Sequence, residues 1–63
     1  GNWEQRQLIG RSLAGKELDP DSGLVLVAGI YYRYLLEPPE APDPNASYTI
    51  TESHGNILTL KKI

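Results

Sequence analysis

The sequence predicts a small α+β domain in which a short amino-terminal helix packs on an antiparallel sheet of three to four strands. Three observations lead to this prediction: helix-capping residues at both ends of residues 2–15, a long apolar segment with strand periodicity at 24–37, and two β-branched segments on either side of a His-Gly-Asn turn. A chain of 63 residues has room for one domain, residues 1–63.

Residues 2–15 carry the signals of a helix. Asn2 is a favourable N-cap, Gln5 stands where a capping box needs it, and Gly15 follows the last helical position. The apolar residues of this segment are scattered around the helix rather than aligned in one stripe. The alternative is therefore a strand over residues 7–13 followed by a glycine-assisted bend. The domain would then be all-β, and would resemble a small SH3-like barrel in size and strand count alone.

The segment Asp19-Pro20-Asp21-Ser22-Gly23 is the clearest turn in the chain. Proline presets one backbone angle, aspartate and serine bond their own backbone, and glycine accepts the left-handed conformation. This pattern predicts a hairpin with a short first arm at residues 16–18. An EF-hand calcium loop is excluded, because Leu24 and Ile30 stand where that loop needs glycine and glutamate.

Residues 24–37 are the centre of the predicted sheet. Alternation through the whole segment places one set of uncharged residues on the core face: Leu24, Leu26, Ala28, Ile30, Tyr32, Tyr34 and Leu36. The opposite face then consists of Val25, Val27, Gly29, Tyr31, Arg33, Leu35 and Glu37. Ala28-Gly29 predicts a bend that makes the segment either two strands or one sharply coiled strand.

The carboxyl half is predicted to be a proline-rich loop followed by a hairpin. Residues 37–47 hold four of the five prolines and form a surface loop of polyproline character. Residues 48–51 and 57–63 are predicted strands joined by a turn over 52–56. Lys61 and Lys62 would suit an exposed edge strand.

The residue types argue against an enzyme. The chain has no cysteine and one histidine, His54, and none of its serines lies in a nucleophile motif. We therefore predict no catalytic residues, no metal site and no cofactor. The sequence leaves the compartment open, with the cytoplasm slightly favoured because signal peptide and disulfides are missing. The sequon Asn45-Ala46-Ser47 is short enough to arise by chance.

Tyr31-Tyr32-Arg33-Tyr34 is the one constellation suited to recognition, since aromatic and arginine side chains on a sheet anchor partners. The predicted partner-binding residues are Val25, Val27, Tyr31 and Arg33. Apolar residues on both faces of one strand are hard to cover in so small a domain, which indicates a non-enzymatic protein-binding or assembly module that docks a protein or a second copy of itself.

The alternative function is a small single-stranded nucleic-acid-binding β-domain that uses Tyr31 and Arg33. Six basic residues against eight acidic ones make nucleic acid the less favoured partner. No apolar run approaches the roughly 20 residues of a membrane span, so a membrane is not an expected partner. The chain lacks methionine, so Gly1 follows initiator removal or tag cleavage, or the sequence is cut from a longer protein.

Overall fold

The computed structural model describes residues 7–63. Within them a single curled sheet is built from five strands: β1 (Ser12–Ala14), β2 (Leu24–Val27), β3 (Ile30–Leu36), β4 (Ser47–His54) and β5 (Ile57–Lys62). The strand order is β1-β4-β5-β3-β2. β3 and β5 run parallel, and the other neighbouring pairs are antiparallel. The sheet curls into half of a barrel with β1 and β2 at its two edges.

The predicted α+β class is wrong, because no helix packs on the sheet in the described part of the chain. Residues 7–10 form a turn, β1 follows, and a single 3-10 turn spans Gly15–Glu17. The backbone of this region bonds to β4: the Gly10 N–H donates to the Ile50 carbonyl, and the Ile50 N–H donates to the Arg11 carbonyl. Distant backbone partners thus override local helix propensity. The predicted cap Asn2 lies outside the described residues.

A two-residue turn divides the long apolar segment into β2 and β3. Ala28 and Gly29 have φ values of 52° and 81°, the left-handed pair that a tight hairpin turn requires. The prediction of two extended strands is confirmed. The assignment of faces is wrong, because Val27 pairs with Ile30 and the alternation changes parity at the turn. The inner face therefore continues from Val25 and Val27 to Tyr32.

The core lies on the concave side of the sheet. Its buried residues are Leu8, Leu13, Leu18, Val25, Val27, Leu36, Tyr48, Ile50, Leu58 and Leu60. Tyr32 and Tyr34 pack against it and are partly buried. Five core side chains of the described residues are at most 1% exposed: Tyr48 and Ile50 of β4, Leu58 and Leu60 of β5, and Val25 of β2. The core is thus centred on β4 and β5 and reaches the β2 edge through Val25 and Val27.

The carboxyl-terminal hairpin forms as predicted, with a longer first strand and a tighter turn at Gly55 and Asn56. The expectation that Lys61 and Lys62 mark an edge strand is wrong, since β5 lies between β3 and β4. This central position follows from the parallel pairing of β3 and β5, which joins segments far apart in the sequence.

The Asp19 turn forms, but residues 16–18 that precede it are not a strand. The Asp19 carboxylate accepts hydrogen bonds from the Asp21 N–H and the Ser22 hydroxyl. The same turn also covers the start of the β2 edge, where the Leu24 N–H donates to Ser22 Oγ and the Leu24 carbonyl accepts from the Asp19 N–H. The turn therefore protects this edge from pairing with another chain.

The proline-rich loop is fixed to the sheet by polar contacts. The Asp43 N–H donates to the Tyr48 hydroxyl at 2.8 Å, and the Gly15 N–H donates to the Ala46 carbonyl at 2.7 Å. Lys62 Nζ lies 3.6 Å from Glu40 Oε1 and 3.7 Å from Asp43 Oδ2. These contacts give the loop a defined position beside the end of β3.

Candidate functional site

An apolar surface covers the convex side of the β2–β3 hairpin. The side chains that point outward there are Leu24, Leu26, Tyr31, Arg33 and Leu35, hereafter the β2–β3 outer face. Leu26 is 49% exposed, Leu35 57% and Tyr31 65%. These large fractions on neighbouring strands make the surface a candidate binding site.

The structure separates the four residues predicted to bind a partner. Tyr31 and Arg33 lie together on the β2–β3 outer face, whereas Val25 and Val27 are buried in the core at 1% and 3% exposure. The predicted grouping of the four on one surface is therefore wrong. The residues that sequence reasoning missed are Leu24, Leu26 and Leu35. A change of parity at a two-residue Ala28-Gly29 turn would have identified the first two, whereas Leu35 is assigned to the correct face without being named as a binding residue.

Arg33 occupies the middle of a row that crosses the sheet. It is paired with Leu24 of β2 on one side and with Ile57 of β5 on the other, and Ile57 is paired with His54 of β4. The Arg33 N–H donates to the Asn56 carbonyl at 2.7 Å, which fixes the β4–β5 turn beside this row. Among residues 7–63 no carboxylate lies within ion-pair distance of the Arg33 guanidinium. The exposed guanidinium is thus available for an anionic ligand.

The Asp19 turn borders the other end of the same row. Leu24 follows this turn, and the Tyr34 hydroxyl donates to the Asp19 carbonyl at 2.8 Å from the inner side of β3. Burial, reinforced by the Asp19 carboxylate, raises the pKa of Tyr34 above its ordinary value of 10, so the phenol remains a donor. The β2–β3 outer face is thus flanked by two defined turns, Asp19–Gly23 and Gly55-Asn56.

An acidic groove lies at the carboxyl end of β3. Its volume is about 540 Å³, and its lining includes Leu35, Pro39 and the carboxylates of Glu37, Glu40 and Glu52. These carboxylates repel anions, so the surface near Arg33 and Tyr31 is the part of the convex face suited to a polyanion.

The remaining polar groups form no catalytic constellation in the described part of the chain. His54 Nε2 lies 3.9 Å from Glu52 Oε2, and both side chains are exposed. The Ser22 hydroxyl donates to Asp19, and Ser53 is buried between strands beside Leu58. No group of three histidine, aspartate or glutamate residues within 7–63 is arranged to hold a metal ion. No helix formed by these residues is long and apolar enough to cross a membrane.

Searches against protein-family models, curated proteins and solved structures give no match to this chain.

Proposed function

We propose that this domain binds single-stranded nucleic acid on the β2–β3 outer face. Tyr31 would stack on a base, since an exposed aromatic ring accepts any base through its π-face. Arg33, two positions along the same strand, would bind a phosphate. The adjacent exposure of Tyr31 and Arg33 on one face of a curled sheet is the observation that supports this proposal.

The topology favours the same function. The order β1-β4-β5-β3-β2 with β3 parallel to β5 resembles that of the OB-fold, without the pairing of β1 and β2 that closes that barrel. OB-folds bind oligonucleotides and oligosaccharides on the face of strands 2 and 3, between the loop joining strands 1 and 2 and the loop joining strands 4 and 5. In this chain the Asp19 and Gly55-Asn56 turns hold those two places. Because one fold hosts many functions, the side chains decide between ligands, and Arg33 favours the anionic one.

The net charge of the chain disfavours nucleic acid as a partner, but the position of the charged residues favours it. The charged residues within the five strands are Arg33, Glu52, Lys61 and Lys62, so the strands carry net positive charge. The other acidic residues of the described chain lie in the connections between strands. Lys62 is paired with Glu40 and Asp43, so in a chain of net charge −2 Arg33 is the positive charge of the β2–β3 outer face.

Fluorescence anisotropy with a labelled oligothymidylate of about 8 nucleotides tests this proposal. We expect binding at low ionic strength that weakens as salt is added. Tyr31→Ala should weaken binding by about 1–3 kcal/mol, whereas Tyr31→Phe should retain the stacking and bind like the parent chain. Arg33→Ala should weaken binding and lower the salt slope by about 0.7, the value for one phosphate contact.

The matched control for Arg33→Ala is Lys16→Ala, which removes the same charge from an exposed position outside the β2–β3 outer face. Equal losses in the two variants would show that only total charge matters and would contradict the proposal. Undetectable binding by the parent chain at low ionic strength would contradict it as well.

Docking of a protein or of a second copy on this same face is the second candidate. It is favoured by the exposed aliphatic side chains Leu26 and Leu35, which a nucleic acid does not require. Sedimentation equilibrium over a range of concentrations tests self-association. A dimer that Leu26→Glu dissociates would support this candidate, and a monomer at every concentration would remove the second copy as the partner.

A further inference from the structure

We infer that His54 is a second phosphate contact of the same surface and makes nucleic-acid binding stronger at acidic pH. This inference rests on the proposed function and adds to it a residue and a form of regulation. His54 ends the row that contains Leu24, Arg33 and Ile57, so its side chain lies on the convex side. Its side chain is 80% exposed at the border of the β4–β5 turn.

The spacing within this row suits one bound strand. Arg33 and His54 are separated by β5 alone, and two inter-strand steps amount to about 10 Å between backbones. The residue between them is Ile57, a partly buried apolar side chain on which a base could rest. A strand that crosses the sheet from Tyr31 and Arg33 toward the Gly55-Asn56 turn therefore meets His54 next.

Charged groups from several elements of the sheet surround His54. Glu52 lies beside it on β4 at 3.9 Å, Arg33 lies across β5 in the same row, and β5 itself contributes Lys61 farther along. At the far end of the row, beyond Leu24, lie Asp19 and Asp21 of the β1–β2 connection. Histidine is the side chain that ordinarily gains a proton between about pH 8 and pH 5. The gained charge offsets the Glu52 carboxylate beside it and makes this part of the path more favourable to a phosphate.

Anisotropy titrations at several pH values test this inference. The labelled oligothymidylate and its unlabelled competitor both lack a terminal phosphate. Thymine and phosphodiesters do not titrate between pH 5 and pH 8, so the ligand itself does not change over this range. The parent chain should bind about two- to five-fold more tightly near pH 5 than near pH 8, the range expected for one exposed ion pair. Its salt slope should increase by about 0.7 over the same change.

Two substitutions at His54 separate charge from shape. H54Q should bind with the affinity of the parent chain near pH 8 and lose the pH dependence. H54K should bind near pH 8 as tightly as the parent chain binds near pH 5. As a control, Glu52→Gln removes the neighbouring carboxylate and should retain the pH dependence, because His54 is still present.

The outcomes distinguish this inference from the proposed function. If the parent chain binds and H54Q shows the same pH dependence, the inference is overturned and the proposed function remains intact. Absence of binding at every pH would overturn both.

Discussion

The two hairpins of this sheet expose different kinds of side chain to solvent. On the convex side, β4 and β5 present Thr49, Glu52, His54, Ile57, Thr59 and Lys61, whereas β2 and β3 present Leu24, Leu26, Tyr31, Arg33 and Leu35. The first set is typical of an antiparallel pair with one wet face. The second set is more apolar than the first, with three leucine residues and one tyrosine beside a single charge. The comparison identifies the convex side of the β2–β3 hairpin as the more apolar surface and hence as the candidate binding site.

The hairpins also differ in how much of the core they supply. Leu58 and Leu60 of β5 and Tyr48 and Ile50 of β4 are at most 1% exposed. The β2–β3 hairpin contributes Val25, Val27 and Leu36 to the core, and its Tyr32 and Tyr34 are partly buried. Substitutions on the β2–β3 outer face should therefore alter binding while leaving stability nearly unchanged.

The largest expected effect compares one leucine from each hairpin. Leu58→Ala should lower the free energy of unfolding by about 2–5 kcal/mol, because it leaves a cavity in the centre of the core. Leu26→Ala should lower it by about 1 kcal/mol or less, since that side chain is half exposed. Urea denaturation followed by circular dichroism measures both. Equal losses would show that Leu26 belongs to the core and would remove the distinction between the hairpins.

Two tyrosines provide the next comparison. Tyr48→Phe should cost about 0.5–1.5 kcal/mol, because the buried hydroxyl that accepts the Asp43 N–H is lost. Tyr31→Phe should leave the free energy of unfolding unchanged, since no hydrogen bond to the Tyr31 hydroxyl is present among the described residues. Denaturation of the two variants under identical conditions tests this. A larger loss for Tyr31→Phe would contradict the assignment of Tyr31 to a free surface.

Ser53 is the exception within the well-packed hairpin. Its hydroxyl oxygen is buried without a hydrogen-bond partner in the described part of the chain. Ser53→Ala should therefore stabilise the protein by about 1 kcal/mol, since an unsatisfied buried polar group is removed at little change in volume. The control is Thr51→Ala, which removes a hydroxyl that donates to the Thr59 carbonyl and should be destabilising. A destabilised Ser53→Ala variant would show that the hydroxyl is bonded in solution.

The smallest effect concerns the turn that precedes β2. The Asp21 N–H and the Ser22 hydroxyl lower the pKa of Asp19 below its ordinary value of 3.8. A lowered folded-state pKa contributes stability that is present above the unfolded value and is lost as pH falls through the folded one. Acid titration of stability should therefore show a smaller decrease below about pH 4 for Asp19→Asn than for the parent chain. An identical decrease in both would show that these hydrogen bonds do not persist in solution.

The sequence predicts the local features of this fold and misses the distant ones. The Asp19 turn, the Ala28-Gly29 bend and the carboxyl-terminal hairpin are set by residues close to one another, and all three are present. The pairing of β1 with β4 and of β3 with β5 depends on segments far apart in the chain. Leu13 therefore lies in a strand whose partner the local helix signals did not reveal.

The candidate site was half predictable for a related reason. Tyr31 and Arg33 follow the turn and were assigned to the correct face, whereas Val25 and Val27 precede it and were not. A hairpin with two turn residues reverses the alternation, and Ala-Gly is a weaker signal for that turn than Asn-Gly or Asp-Gly. The face of every residue before the turn depended on that one geometric detail.

The central claim is that the convex side of the β2–β3 hairpin is where this domain binds nucleic acid. Amide chemical-shift mapping during titration with an oligothymidylate tests it most directly. The account predicts that the largest changes fall on Tyr31, Arg33 and Leu35, with smaller ones at His54 and Asn56. Changes confined to the proline-rich loop or to Lys16, or no changes at all, would contradict it.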